Sequence, residues 1–224
     1  MKKRSTYITA LLITLFSTCL IVLGVSIAQE KAPAPSAAST SAADSATDSA
    51  TENLKTAVFA GGCFWCIEAD FEKLDGVQTV VSGYTGGEAT TADYKTVTYN
   101  ETGHYEAVEV SYDPSTVSYS ELVEYFWRHI DPTNPRGQFC DSGSSYRSAI
   151  FYGSDEEQAI VEKSLANLNE TKPFDADIVT AIEVAKPFYL AEDYHQDYYK
   201  KNPIRYNLYR RGCGRDARIA ELWK

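Results

Sequence analysis

The 224-residue sequence is short of positive charge: 21 Lys and Arg stand against 31 Asp and Glu, a formal net charge of -10. A general nucleic-acid binder needs basic patches to meet phosphates, so that class is excluded. Sulfur is sparse, with five cysteines and a single methionine at position 1. Histidine occurs three times and nowhere in a setting that marks a base; His195 in "EDYHQDYY" reads as a helix residue supporting a site. No internal repeat is visible, so a repeat architecture is not expected. What is present, 44% hydrophobic and 12% aromatic residues, suits one ordinary domain with tails.

The chain starts Met1-Lys2-Lys3-Arg4 and continues with an uncharged run from Ser5 to Ala28 that ends in the small-x-small pattern Ser26-Ile27-Ala28. That is an export signal, its positive end kept in the cytoplasm. The run comes close to the roughly 20 apolar residues that span a bilayer, so residues 1–28 read as a signal peptide or an N-terminal membrane anchor. Either way the rest is expected to be exported, periplasmic or tethered to the outer face of the inner membrane. Residues 29–54 are an Ala/Ser/Thr linker that cannot bury enough apolar surface to offset its ordering entropy, and disorder is expected there.

From residue 55 to 224 short β-type runs alternate with helical patterns, which predicts an α/β or α+β layered fold. "TAVFA", "VQTVVSGYT", "HYEAVEVSY", "YRSAIFY" and "IVTAIEVA" read as strands. Phe64, Ile67, Phe71 and Leu74 recur at helical spacing until Asp75-Gly76. Ser118 with Glu121, and Ser154 with Glu157, are capping-box signatures for two further helices. "AEDYHQDYYKK" predicts a short aromatic helix closed by Asn202-Pro203.

Given the scarcity of sulfur, "GGCFWC" at residues 61–66 is the most informative stretch. Cys63 falls at a helix start, where unpaired N–H groups and the helix dipole lower a thiol pKa and favour the nucleophilic thiolate. Gly61 and Gly62 let a substrate come close to the backbone. Cys66 lies one helical turn on, on the same face, placed to close a disulfide if the first turn distorts. Three plainer readings compete. A structural disulfide here would close a very short loop and stabilise little. A zinc site of Cys63, Cys66, Cys140 and Cys213 lacks a second C-x-x-C. A thioredoxin-type oxidoreductase shares C-x-x-C, but Phe64 and Trp65 between the thiols build an apolar surface suited to a particular side chain.

In "HYEAVEVSY" the strand alternation puts Glu106 on the face of His104, Val108 and Val110. Burial there would raise its pKa and keep it protonated near neutral pH, ready to act as a general acid; the plainer reading is a strand-end carboxylate in solvent. Tyr84, Tyr94, Tyr99 and Tyr146 flank the glycine-rich stretches and supply uncharged hydrogen-bond donors. Asp141, in "CDSGSSYRSA", accepts from a substrate amide or caps its turn.

Together "GGCFWC", "SGYTGG", "YKTV", "TGHYEAVEVSYDP", "HIDPT", "GQFCDSGSSYRSAIFY" and "FYLAEDYHQDYY" resemble the peptide methionine sulfoxide reductase A family over nearly all of the chain from about residue 56. The resemblance implies an α+β two-layer sandwich with a mixed sheet and a ferredoxin-like core. It implies reduction of the S epimer of methionine sulfoxide, in proteins or free, without metal or organic cofactor. It casts Cys63 as nucleophile, Glu106 as acid, Tyr94 and Tyr146 as the phenols that hold the sulfoxide oxygen, and Phe64, Trp65 and Asp141 as substrate-binding residues. A thioredoxin-like partner would reduce the resulting disulfide, and the protein would work as a monomer. The sequence departs from many members in having Cys66 where they have glycine. Proximity favours Cys66 as the resolving thiol, with Cys213 as the alternative; Cys140 and Cys213 could also pair with each other or simply be buried. Met1 is the only methionine, so the exported part would lack the enzyme's own substrate.

Overall fold

A computed structural model describes residues 53–224; the expected signal or anchor and nearly all of the expected linker lie outside the described residues. In chain order the elements are β1 (Lys55–Gly61), α1 (Phe64–Phe71), β2 (Val77–Thr85), α2 (Tyr94–Tyr99), β3 (Tyr105–Tyr112), α3 (Tyr119–Trp127), β4 (Gly137–Gln138), β5 (Asp141–Ser142), β6 (Ser148–Tyr152), α4 (Asp155–Thr171), β7 (Ala181–Val184), β8 (Phe188–Leu190), α5 (Tyr198–Lys201), α6 (Pro203–Gly212) and α7 (Arg215–Leu222). Six strands form one sheet in the order β7-β6-β1-β3-β2-β8. Only β6 and β7 pair in parallel, so the sheet is mixed and the fold α+β, as expected. The central order β6-β1-β3-β2, with α1 and α3 as crossovers, has the split β-α-β connectivity compatible with a ferredoxin-like core. Among the described residues no helix is long and apolar enough to cross a membrane.

The period-2 pattern of β1 and β3 turns Phe59, Val108 and Val110 to one face, where Ile67 and Phe71 of α1 and Leu122 of α3 bury them. Each such side chain stabilises by about 1.5–3 kcal/mol through burial alone. Trp127 ends α3 fully buried, and its indole N–H finds a partner in Ser164 Oγ of α4 at 2.9 Å. Tyr105 and Ala107 point to the opposite face, into a smaller cluster with Ala149 and Phe151. Glu106 therefore sits on the main core face, where the alternation placed it.

Local signals held to different degrees. Ser118 and Glu121 form the full reciprocal cap, with bonds of 3.2 and 2.8 Å. Ser154 caps α4 by accepting from Glu157 N–H, but the Glu157 carboxylate reaches past it to Gly153 N–H at 2.7 Å, so the second box is half formed. The predicted helix "AEDYHQDYYKK" is reduced to the single turn α5, because Asp197 adopts left-handed φ 53° and breaks the run. Asn202-Pro203 closes that turn and also opens α6. Proline suits the first position of a helix, where its missing N–H would have no partner.

Candidate active site

The turn from β1 into α1 requires glycine. Gly62 has φ +83°, and a Cβ there would lie 2.5 Å from Gln138 Cβ. Gln138 cannot yield: it is fully buried and exchanges two bonds with the Asp131 backbone, at 2.8 and 2.7 Å. Gly62→Ala is expected to lower stability by about 2 kcal/mol, or roughly 4–8 °C in Tm, from the left-handed strain and the clash. Thermal unfolding checks this, and an unchanged Tm would show that the turn can re-route.

Cys63 is the N-cap of α1, and its carbonyl accepts from Cys66 N–H at 3.0 Å. The first helical N–H, that of Phe64, donates to Glu106 Oε2 at 3.1 Å. The positive end of α1 thus faces a carboxyl on β3, and this fixes Glu106 beside Cys63. Glu106 is 2% exposed. Burial, assisted by the charges of Asp141 and Cys66, pushes its pKa from 4.5 up to about 8 against the pull of the Phe64 and Tyr146 hydrogen bonds. At neutral pH it is a carboxylic acid.

These groups line a cavity of about 70 Å³ shared with Phe64, Trp65, Tyr94, Asp141, Tyr146 and Tyr209. That is about two waters' share of liquid, which suits the head of one side chain. The Tyr94 and Tyr146 phenols are kept un-ionised, chiefly by burial. The Trp65 ring is clamped flat against Tyr198, with centroids 3.7 Å apart, and its N–H donates to His195 Nδ1 at 3.0 Å. His195 supports the site as expected, although from a turn rather than a helix. Burial pulls its pKa down to about 4, so the neutral ring serves as an acceptor.

The two thiols are free, buried and within reach of each other, but their protonation differs from the sequence expectation. Burial, followed by the Cys66 thiol and the Glu106 charge, holds the Cys63 pKa well above its ordinary value. The Cys66 thiol is pulled down, first by the hydrogen bond with Cys63 and then, against its own burial, by the charges of Arg215 and Arg210. Those guanidiniums are held behind it by Asp70, at 3.7 and 2.9 Å respectively. The two thiols titrate as a pair, with burial opposing the first sulfur charge and the two guanidiniums favouring it.

Two of the four tyrosines singled out are not in the pocket. Tyr84 is buried and donates to Glu192 Oε2 at 2.9 Å, while Tyr99 is 81% exposed. Cys140 and Cys213 form a disulfide, so neither is free as a zinc ligand, and Cys213 as alternative resolver is already paired. Tyr209 is a pocket residue that the sequence reading missed. It lies on α6, donates to Asp141 Oδ2, and lines the cavity that holds Cys63. Its spacing four residues before Cys213, on one helical face, was the available signal.

A sulfur nucleophile and a proton donor lining one small pocket, on an α+β sheet, are the equipment of a cysteine-dependent oxidoreductase. Comparison narrows the class: the pattern of the peptide methionine sulfoxide reductase family matches residues 55–224. The chain belongs to that family. It is 49% identical over 172 residues to the peptide methionine sulfoxide reductase MsrA of Bacillus subtilis, covering 77% of this chain and 97% of the relative. It is 51% identical over 168 residues to the Ligilactobacillus salivarius protein of the same name, covering 75% and 97%. Among solved structures it is similar to reduced Mxr1 of Saccharomyces cerevisiae, with TM-score 0.60, 34% identity, and 68% of this chain and 88% of that one covered. Methionine sulfoxide reductase A of Corynebacterium diphtheriae gives TM-score 0.60 at 33% identity, over 68% of this chain and 77% of that one.

Proposed function

We infer that the pocket over Cys63 reduces the S epimer of methionine sulfoxide, in proteins or free, to methionine. The observation that carries this reading is Glu106, a carboxyl kept protonated by burial in the same small cavity as a free cysteine. A sulfoxide oxygen is a very poor leaving group until it is protonated, and a buried acid supplies that proton without first having to capture it. The Cys63 sulfur, as thiolate, attacks the sulfoxide sulfur while Glu106 protonates the oxygen that Tyr94 and Tyr146 hold. Phe64 and Trp65 wall the substrate methyl group, and Asp141 borders the substrate. The protonated oxygen then passes from the substrate sulfur to the Cys63 sulfur as the bond between the two sulfurs breaks with its electron pair going to the substrate, so methionine leaves and Cys63 is left as sulfenic acid. The Cys66 thiol then attacks that sulfur, forming the Cys63–Cys66 disulfide and releasing water. Both thiols end oxidised, so a thioredoxin-like dithiol protein closes the cycle.

The reading extends to place. The Lys2-Lys3-Arg4 start and the uncharged run to Ala28 support export, and the Ala/Ser/Thr stretch 29–54 supports a tether or spacer. The catalytic domain of residues 55–224 then works as a monomer outside the cytoplasm, repairing oxidised exported proteins.

A racemic methyl sulfoxide of a protected methionine tests the activity. With dithiothreitol as reductant, the S epimer is expected to disappear and the R epimer to persist on a chiral column. Insulin reduction without sulfoxide consumption would instead make the protein a general thiol-disulfide oxidoreductase.

A further inference from the structure

We propose that the Cys140–Cys213 disulfide is a strut that holds the Tyr209 phenol over Cys63, so that Tyr209 acts in the reaction as a third phenol and the disulfide as its positioning device. The proposal rests on the reductase reading of the pocket. Its geometry is a closed ring. Cys140 precedes Asp141, which opens β5 and turns its carboxylate into the pocket. Cys213 caps the C-terminus of α6, and its N–H donates to the Tyr209 carbonyl at 2.8 Å, one turn away. The Tyr209 hydroxyl donates back to Asp141 Oδ2. The two segments are 73 residues apart in sequence, and the disulfide, with Cα atoms 4.8 Å apart, ties them covalently beside the one hydrogen bond that joins them inside the pocket.

The ring sits where it matters for the chemistry. Tyr209 lines the same cavity as Cys63, so its hydroxyl, which donates to the Asp141 carboxylate in the resting protein, can be recruited by a charged sulfur or a sulfenic oxygen during reaction. Burial, the Cys63 charge and the Asp141 hydrogen bond all keep the phenol protonated. β5 pairs only with β4, through Gln138 and Asp141 and through Gly137 and Ser142, and α6 has a mostly exposed surface. β5 is held by its short pairing with β4, and α6 by Tyr206 and Arg210 against α1; the disulfide adds a covalent link between the two segments beside the pocket. This role also explains why a cysteine pair stands apart from the two free thiols.

The test is single-turnover release of methionine by enzyme isolated without reductant, after peptide mapping has verified free Cys63 and Cys66 and paired Cys140 and Cys213. Cys140→Ser/Cys213→Ser, Tyr209→Phe and the triple variant are compared. Each of the first two is expected to slow release roughly tenfold, the scale of one misplaced hydrogen bond to a charged reacting atom. The triple variant is expected to be no slower than the worse of them, since without the hydroxyl the strut has nothing to position. Losses that multiply, or unchanged release without the disulfide, overturn the proposal. So does slower recycling by a dithiol protein at an unchanged first release, which would make the disulfide a relay. If the double serine variant unfolds, Tyr209→Phe, which keeps the disulfide, must show the tenfold loss alone, and wild-type release from it overturns the idea. Wild-type enzyme that releases no methionine would refute the reductase reading and not the strut.

Discussion

Glu106→Gln is expected to lower kcat/KM for a methyl sulfoxide by about 10²–10⁴-fold, the usual worth of a positioned general acid. Glutamine is close to isosteric, and its Oε1 can still accept from Phe64 N–H, so the start of α1 and the seat of Cys63 stay in place. What disappears is the proton for the departing oxygen. The pH profile separates this cause from simple misplacement. With a pKa raised to about 8, the wild-type acid is fully protonated below that value and lost above it, so activity should fall on the alkaline side near pH 8. The variant has no such group and should lack that limb. Retained activity, or an alkaline limb that survives in the variant, would move the proton donor to Tyr146, which lies against the same carboxyl.

The same substitution should leave the fold more stable at neutral pH. The native state holds a proton on Glu106 that the unfolded chain releases above 4.5, so the contribution of this group is present below 4.5 and is lost progressively as pH rises through about 8. Glutamine removes that penalty. A Tm that depends less on pH between 5 and 8 in Glu106→Gln than in the parent would show that function is carried at the expense of stability.

The residues that announced themselves in the sequence are those whose environment is built locally. Cys63 follows a strand pattern and precedes a helical one, and Glu106 falls in register with two valines of its own strand. The Ser118 box closes within three residues. The electrostatics were not legible, because they depend on burial and on distant charges. Arg210 and Arg215, whose charges favour ionisation of the thiol pair beside Cys66, arrive from helices about 145 residues further along the chain. Tyr209 was hidden for the same reason: it is one of 16 tyrosines, and only the meeting of α6 with the Asp141 strand distinguishes it. The left-handed Asp197 that shortens α5 is set by its N–H bonding to Glu68 on α1, a tertiary contact that overrides the helical pattern.

Cys66→Ser is expected to separate the two halves of the cycle. The first methionine should still be released, because Cys63, Glu106 and the phenols are untouched, but Cys63 should then remain as sulfenic acid. A dimedone adduct on Cys63, absent from wild-type enzyme after the same turnover, would record it. Steady-state turnover with a dithiol protein should drop at least about 100-fold, since a thiol held one helical turn away acts at an effective concentration no external thiol matches. The only other sulfurs among the described residues are already bonded to each other, so they offer no resolving thiol unless their disulfide is first opened. Recovery of a Cys63–Cys213 disulfide from the variant, with turnover maintained, would reassign resolution to the α6 terminus.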